Sequence, residues 1–360
     1  MKIALAHDSF TQMGGAERVI SVLHETFPGA PVFTLVFDPK FKQKYRGWDI
    51  RTSRLQTLYL ALGKLQYLLP LIPWGVDSLD FSGYDFILSS SSGFIKNLRA
   101  PKSAIHIDYC HTPTRFLWQD NGYLRQEVPT YLLPLARVFL ARMKKWDSRG
   151  AEKVSYFIAN SLEVQKRIKK FYNRDSKVIY PSVDVGFWHP TKPKSDYFLI
   201  AGRLQGHKSN DVIVKIFNDF GKPLHIAGAG RQEAYLKSIA KPNISFLGNI
   251  SDEQLRDEYS GAVGYIYPQL EDFGLMPLEA MACGTATLAY GQGGALETVI
   301  PGQTGELFDS YDESKIKFLV SSWNFKKYSA DVLRSQAEKF SKTDFQKNLL
   351  NFIKINFEKL

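Results

Sequence analysis

The chain has 360 residues, with 46 Lys and Arg against 36 Asp and Glu, and so a formal charge of +10. An apolar fraction of 44% excludes a disordered chain, and the length exceeds what one hydrophobic core usually supports, so two domains are expected. Its two cysteines, Cys110 and Cys283, lie far apart without metal-ligand spacing, which argues against a disulfide framework or a zinc site and for a reducing compartment.

The excess of cations, with a pI near 9.3, favours anionic partners such as nucleotide phosphates, anionic lipid or nucleic acid, without choosing among them. Met1 runs directly into the strand-like Lys2-Ile3-Ala4-Leu5-Ala6, with no basic, apolar and small-residue succession, so no secretion signal is expected.

Strand Ile3–Ala6 is followed by Gly14-Gly15 and a helix whose apolar face is Ala16, Val19, Ile20, Leu23 and Phe27. The stretch from Leu55 to Trp74 is the most lipid-like, but Lys64, Gln66, Pro70 and Pro73 interrupt it, so it is not expected to span a membrane. Further strands are expected at Val32–Phe37, Phe86–Ser89, Ala104–Tyr109, Tyr156–Ala159 and Val178–Tyr180.

Residues 185–196, with Pro190 and Pro193 among lysines, have the composition of a linker, which sets an N-terminal domain at 1–184 and a second at 197–339. Past it strand and helix alternate again: strands Phe198–Ala201, Leu224–Ala227, Ile244–Leu247 and Val263–Tyr267, helices Asp211–Phe220, Gln232–Ala240 and Asp252–Gly261. Ser251 with Gln254 three residues on is a capping box for the last of these. Residues 340–360 place Phe345, Leu349, Phe352, Ile353, Phe357 and Leu360 on one helical face, an amphipathic helix expected to pack back on the N-terminal domain. The alternation makes the class α/β, with doubly wound parallel sheets.

Four constellations carry chemistry. In Tyr265–Gly284 a buried strand ends, a loop turns at Gly274, and Pro277 opens a helix whose unpaired amides, near Phe273 to Met276, form a ready anion site. Glu271 precedes that helix and Glu279 lies inside it, so one ligand could bridge both, although either carboxylate taken alone reads as an exposed decoration. In Gly202-Arg203-Leu204-Gln205-Gly206-His207-Lys208 a strand ends in a loop whose Arg203 and Lys208 can converge on a diphosphate. The third is the glycine pair Gly14-Gly15 in Asp8–Arg18, which is not a dinucleotide fingerprint and alone decides nothing. The fourth is Tyr109-Cys-His111-Thr-Pro113, where Pro113 biases Thr112 to extended geometry and leaves His111 at the edge of the sheet.

Glu271-Asp-Phe-Gly-Leu-Met-Pro-Leu-Glu279 resembles the Glu, seven residues, Glu signature of the retaining glycosyltransferases of family four, which have the two-domain GT-B fold. Gly202-Arg203-Leu204 with Lys208, Gly14-Gly15-Ala16-Glu17-Arg18 and Tyr109-Cys-His111-Thr-Pro113 are similar to further elements of that family, so the resemblance covers nearly the whole chain. It implies two Rossmann-like domains facing across a cleft. It implies also that Glu271 holds donor-sugar hydroxyls, that Phe273, Gly274 and Leu275 position sugar and phosphate, and that Glu279 holds the ribose. Arg203 and Lys208 would neutralise the departing diphosphate, His111 would sit against the sugar near its reacting carbon, and Gly14 and Gly15 would border the donor phosphate.

The expected activity is transfer of a sugar from a nucleotide donor, GDP-mannose or alternatively a UDP-sugar, to a glycan or lipid-linked acceptor in surface-polysaccharide or glycolipid synthesis. No cofactor is expected, nor a metal, since no Asp-x-Asp follows an apolar strand. Leu58, Tyr59, Leu62, Leu65 and Leu69, with the basic run Arg137, Arg142, Lys144, Lys145 and Arg149, read equally as a face for anionic membrane or as core with a solvated rim, so the place expected is the cytoplasm, with its membrane face open. Two rivals remain: a sugar-nucleotide epimerase on the same fold, distinguishable by product analysis with donor alone, and a non-catalytic basic nucleic-acid-binding protein, against which the dispersed charges count.

Overall fold

A computed structural model describes residues 2–119, 131 and 133–357. Contacts divide the chain into Met1–Tyr180 and Pro181–Leu360.

The first unit is built on seven strands, β1 (Ile3–His7), β2 (Val32–Thr34), β3 (Ile50–Thr52), β4 (Phe86–Ser91), β5 (Ile105–Cys110), β6 (Tyr156–Ala159) and β7 (Ser176–Val178). They lie in the order β3-β2-β1-β4-β5-β6-β7, and every pair is parallel. The inner strands are buried on both faces, as a sheet covered by helices on both sides requires, and the polar His106 and Asp108 on one face of β5 are hydrogen-bonded to Ser89 of β4. One face packs Ala4, Ala6, Phe33, Ile87, Leu55 and Val76 into a common core. The last strand falls at Ser176–Val178, two residues before its expected place, and β3 was not anticipated, because Arg51 and Thr52 are exposed and give it no apolar run.

Residues 55–77 resolve into a helix Leu55–Leu62, a 3-10 helix Leu65–Leu71 and a helix Ile72–Asp77, the first ended by Gly63 in the left-handed region at φ 72°. The residues read either as a membrane face or as core divide between the two, Leu58 and Leu62 being exposed. Tyr59 is buried with its hydroxyl donating to Asp38 Oδ2 at 3.1 Å, and Leu65 and Leu69 pack against the core. The side chains turned to solvent are Leu58, Leu60, Leu62, Tyr67, Leu71 and Trp74. Among the described residues no helix is long and apolar enough to cross a membrane.

A buried ion pair ties the helix Leu133–Lys153 to the turn after β4. Lys96 Nζ donates to Asp147 Oδ1 at 2.5 Å, with Lys96 1% and Asp147 0% exposed. Trp118 Nε1 at 2.7 Å, Tyr172 Oη at 2.8 Å and Asn97 Nδ2 at 3.3 Å also donate to the Asp147 carboxylate.

The second unit repeats the plan with β8 (Phe198–Ala201), β9 (Leu224–Ala227), β10 (Ile244–Gly248), β11 (Gly264–Tyr267), β12 (Thr287–Tyr290) and β13 (Gly305–Phe308). Their order is β10-β9-β8-β11-β12-β13, again all parallel. Leu199, Ile200, Ile213, Phe217, Ile226 and Ile266 are among its buried side chains. The helix Asp252–Gly261 starts on a reciprocal cap, Gln254 N donating to Ser251 Oγ and Ser251 N to Gln254 Oε1. The final helix, Lys342–Phe357, buries Phe345, Leu349 and Ile353; Leu360 and the side chain of Phe357 lie outside the described residues.

Candidate active site

Both sheets reverse their strand order beside the first strand of the unit, between β1 and β4 and between β8 and β11. In an open parallel sheet the loops leaving the carboxyl ends of the strands on either side of that reversal diverge and leave a crevice for a ligand. Most residues expected from the sequence to carry chemistry lie on these loops or at the helix starts that follow them, with His111 on the neighbouring loop after β5.

In the second unit β8 runs into Gly202, Arg203 and Leu204, then a 3-10 turn Gly206–Lys208. Leu204 is fully buried and anchors the loop, whereas Arg203 is exposed. The loop passes close to its neighbours: a Cβ on Gly228 would lie 1.9 Å from Gly202 O, and one on Gly230 would lie 2.2 Å from Leu204 O. Only glycine fits at those two positions, and that close passage sets the path of the chain toward Lys208.

β11 ends at Tyr267, and the loop from Pro268 leads to the helix Leu275–Ala282, capped by Gly274 at φ 81° and ψ 91°. A side chain at Gly274 would meet the Tyr267 hydroxyl at 2.6 Å, so the turn rests directly on the buried tyrosine below it. Leu275, Met276 and Pro277 form the first turn, where amide hydrogens have no acceptor within the helix and Pro277 has none to lose. Glu271 is braced from the other side. Gly294 N donates to Glu271 O at 3.0 Å, and a Cβ on Gly294 would lie 2.0 Å from Phe273 O.

The two loops meet. Lys208 Nζ donates to Glu271 Oε1, with the lysine side chain 7% and the glutamate 26% exposed. Met276 Sδ lies 3.5 Å from the position a Cβ would take on Gly202, which brings the start of the helix against the loop carrying Arg203. Glu279, one helical turn further in, is buried at 2% exposure. Burial raises the hydroxyl pKa values of Tyr259 and Tyr265 well above the ordinary tyrosine value, and the Glu279 charge adds to that rise. The structure thus gathers Lys208, Glu271, Phe273, Gly274 and Leu275 at one corner, with Arg203 earlier on the loop that carries Lys208.

In the first unit the helix Gly15–Thr26 is capped by Gly14. Gly14 has φ −154°, extended backbone open to any residue, so its use is space: a Cβ there would lie 3.1 Å from Glu17 Oε2. Asp8, which ends the loop's first step out of β1, binds the turn after β4 with four backbone amides, Ser92, Gly93, Phe94 and Ile95, at 2.6 to 2.9 Å.

His111 follows β5 with its amide donating to Ser91 O at 2.7 Å, and is 9% exposed. Burial pulls its pKa down to about 3, and His7 adds to the effect, so the ring is neutral at physiological pH. His111 Nε2 lies 2.8 Å from Ser90 Oγ, and His7 Nδ1 lies 3.2 Å from Ser90 O and 3.3 Å from Ser90 Oγ. Glu17 Oε1 lies 3.9 Å from His7 Nε2. Sequence reading missed His7 and Ser90. The available signal was polar residues ending two neighbouring parallel strands, which matters only once β1 and β4 are known to pair with His7 opposite Ser90.

Residues 187–340 match the family described as Glycosyl transferases group 1. The second unit is therefore a glycosyl transferases group 1 domain, and the chain is an α/β protein with the two-domain GT-B fold.

Among particular relatives, the chain is 30% identical over 162 residues to the O-antigen chain mannosyltransferase RfbU of Salmonella typhimurium. That match spans 42% of this chain and 44% of the relative, less than half of either. It is 23% identical over 329 residues to the alpha-1,3/1,6-mannosyltransferase ALG2 of Dictyostelium discoideum, 76% of each chain. Anabaena Alr3699/HepE, solved in complex with UDP, shares the fold with a TM-score of 0.69 at 17% identity, over 98% of this chain and 100% of that one.

Proposed function

We propose that the chain is a retaining glycosyltransferase that carries a hexose from a nucleotide donor to an acceptor hydroxyl. The observation that carries this reading is the contact of Lys208 with Glu271 at the carboxyl ends of β8 and β11, beside the glycine-capped start of the helix Leu275–Ala282. A cation, a carboxylate and the amides of a helix start side by side suit a ligand that is anionic at one end and rich in hydroxyls at the other. Glu271 accepts from sugar hydroxyls, the amides near Phe273, Gly274 and Leu275 and the cations Arg203 and Lys208 take the diphosphate, and Glu279 takes the ribose diol.

In the reaction the bond from the anomeric carbon to the phosphate oxygen breaks, and its electron pair leaves with the diphosphate. The positive groups stabilise that growing charge, which is the main catalytic term. The acceptor hydroxyl attacks from the face the diphosphate vacates and passes its proton to the departing oxygen, so configuration is retained.

Mannose from GDP-mannose is the first choice of donor, supported by the mannosyltransferase names of two relatives, and a UDP-sugar is the alternative, supported by the UDP complex of a structural neighbour. The O-antigen relative supports a glycan or lipid-linked acceptor. Arg203, Lys208 and the amides supply the positive charge a divalent ion would otherwise bring, so no metal takes part. A thermal-shift titration with GDP and UDP in excess EDTA tests both statements: one diphosphate raises the melting temperature. Stabilisation by neither, or only after magnesium is restored, overturns the reading.

The exposed Leu58, Leu60, Leu62, Tyr67, Leu71 and Trp74, with Lys64 among them, suit contact with an anionic membrane holding a lipid-linked acceptor. The chain then cosediments with phosphatidylglycerol vesicles, and Leu60→Ser with Trp74→Ser releases it. Equal sedimentation of the double variant would remove this face from consideration.

A further inference from the structure

The polar chain at the carboxyl ends of β1, β4 and β5 decides which nitrogen of His111 carries its proton. His7 Nδ1 lies 3.2 Å from the carbonyl oxygen of Ser90, an atom that can only accept. A bare lone pair on Nδ1 would there face another lone pair in a site where His7 is 1% and Ser90 0% exposed. Nδ1 therefore carries hydrogen, whether the His7 ring holds one proton or two. With His7 Nδ1–H turned toward Ser90, the hydroxyl of Ser90 has one ring acceptor left within reach, His111 Nε2 at 2.8 Å.

We infer that Ser90 donates to His111 Nε2 and holds His111 as the Nδ1–H tautomer, so that Ser90 and His7 are positioning residues that make His111 a hydrogen-bond donor. The tautomer of an imidazole is set by the bond its other nitrogen makes. His111 Nδ1 makes no hydrogen bond among the described residues and is the ring atom left for a ligand. Glu17, folded over the start of its helix, faces His7 Nε2 and completes the row Glu17, His7, Ser90, His111. His111 thus offers N–H to an oxygen of the bound sugar or phosphate and does not serve as a base. That last step rests on the glycosyltransferase reading; the tautomer does not.

The test is long-range proton–nitrogen correlation NMR of the full chain labelled with 15N-histidine, His111 being assigned by the signal lost in His111→Gln. The expected pattern for His111 is a protonated Nδ1 and a bare Nε2, unchanged across neutral pH. Ser90→Ala then shifts His111 toward the Nε2–H form and lowers kcat by up to about 100-fold through misplacement, with a much smaller change in KM for the donor. Ser90→Thr keeps the hydroxyl and restores both tautomer and turnover. A protonated Nε2 in the unaltered protein, or a Ser90→Ala spectrum identical to it, overturns the inference. A bare Nε2 in a protein that transfers no sugar supports the tautomer and overturns only the reading of function.

Discussion

Replacing Lys208 by alanine lowers kcat by about 100- to 1000-fold, the loss seen when one preorganised charge is removed from a developing anion. The lysine is held in place before any ligand arrives. Its side chain is 7% exposed, and its ammonium already rests on Glu271, so no reorganisation is needed when the diphosphate gains charge. The substitution leaves the fold intact, because Glu271 keeps access to water and the path of the loop is set by Leu204 and by the glycines at 228 and 230. Donor KM changes far less than kcat, since the interaction strengthens as the phosphate bond breaks. Lys208→Arg does not rescue, because a planar fork cannot replace a compact ammonium in a buried slot. Steady-state kinetics with a thermal melt of each variant check this, and a Lys208→Ala enzyme with undiminished kcat would sink the assignment.

Arg203 provides the contrast. It is exposed at the end of β8, whereas Lys208 is buried, so a phosphate contact with Arg203 is more open to water and salt than one with Lys208. The same difference bears on how much of the site could be read in the sequence. Glu271, Gly274 and Lys208 were legible because a strand, a glycine and a helix start are local features with local consequences. That Lys208 and Glu271 touch is not local: they are separated by 63 positions, and only the adjacency of β8 and β11 joins them. His7 and Ser90 are 83 positions apart and were invisible for the same reason.

Strands β1, β4, β8, β9 and β11 were legible because buried parallel strands are short apolar runs. β3 and β13 are edge strands with Arg51 and Glu306 in them, and their half-polar pattern hides them. The segment 55–77 read equally as membrane face or core for a different reason. Its leucines follow one helical period on paper, but Gly63 breaks the helix and Pro70 lies in a 3-10 turn, so residues on one ideal face end on different sides. The glycines at 228, 230 and 294 are places where two backbones pass within a side chain's width, which no local pattern announces.

Asp147→Ala destabilises the first unit by about 3–5 kcal/mol, the cost of leaving a buried charge without its partner. The carboxylate is fully buried and accepts from Lys96, Trp118, Tyr172, Asn97 and Thr114, so its removal takes the counter-charge from a buried lysine and an acceptor from its polar neighbours at once. Burial alone would lower the Lys96 pKa, yet the Asp147 charge and hydrogen bond together hold it above the ordinary lysine value. The folded state therefore binds that proton more tightly than the unfolded chain does. Its contribution is complete below the ordinary lysine pKa and is lost as pH rises through the higher folded value. Urea unfolding followed by tryptophan fluorescence measures the loss at neutral pH, and Lys96→Met combined with Asp147→Leu recovers much of it, because an apolar pair of similar volume needs no desolvation. An Asp147→Ala protein within about 1 kcal/mol of the unaltered one contradicts the assignment, since charge burial without compensation costs more than that in any folded interior.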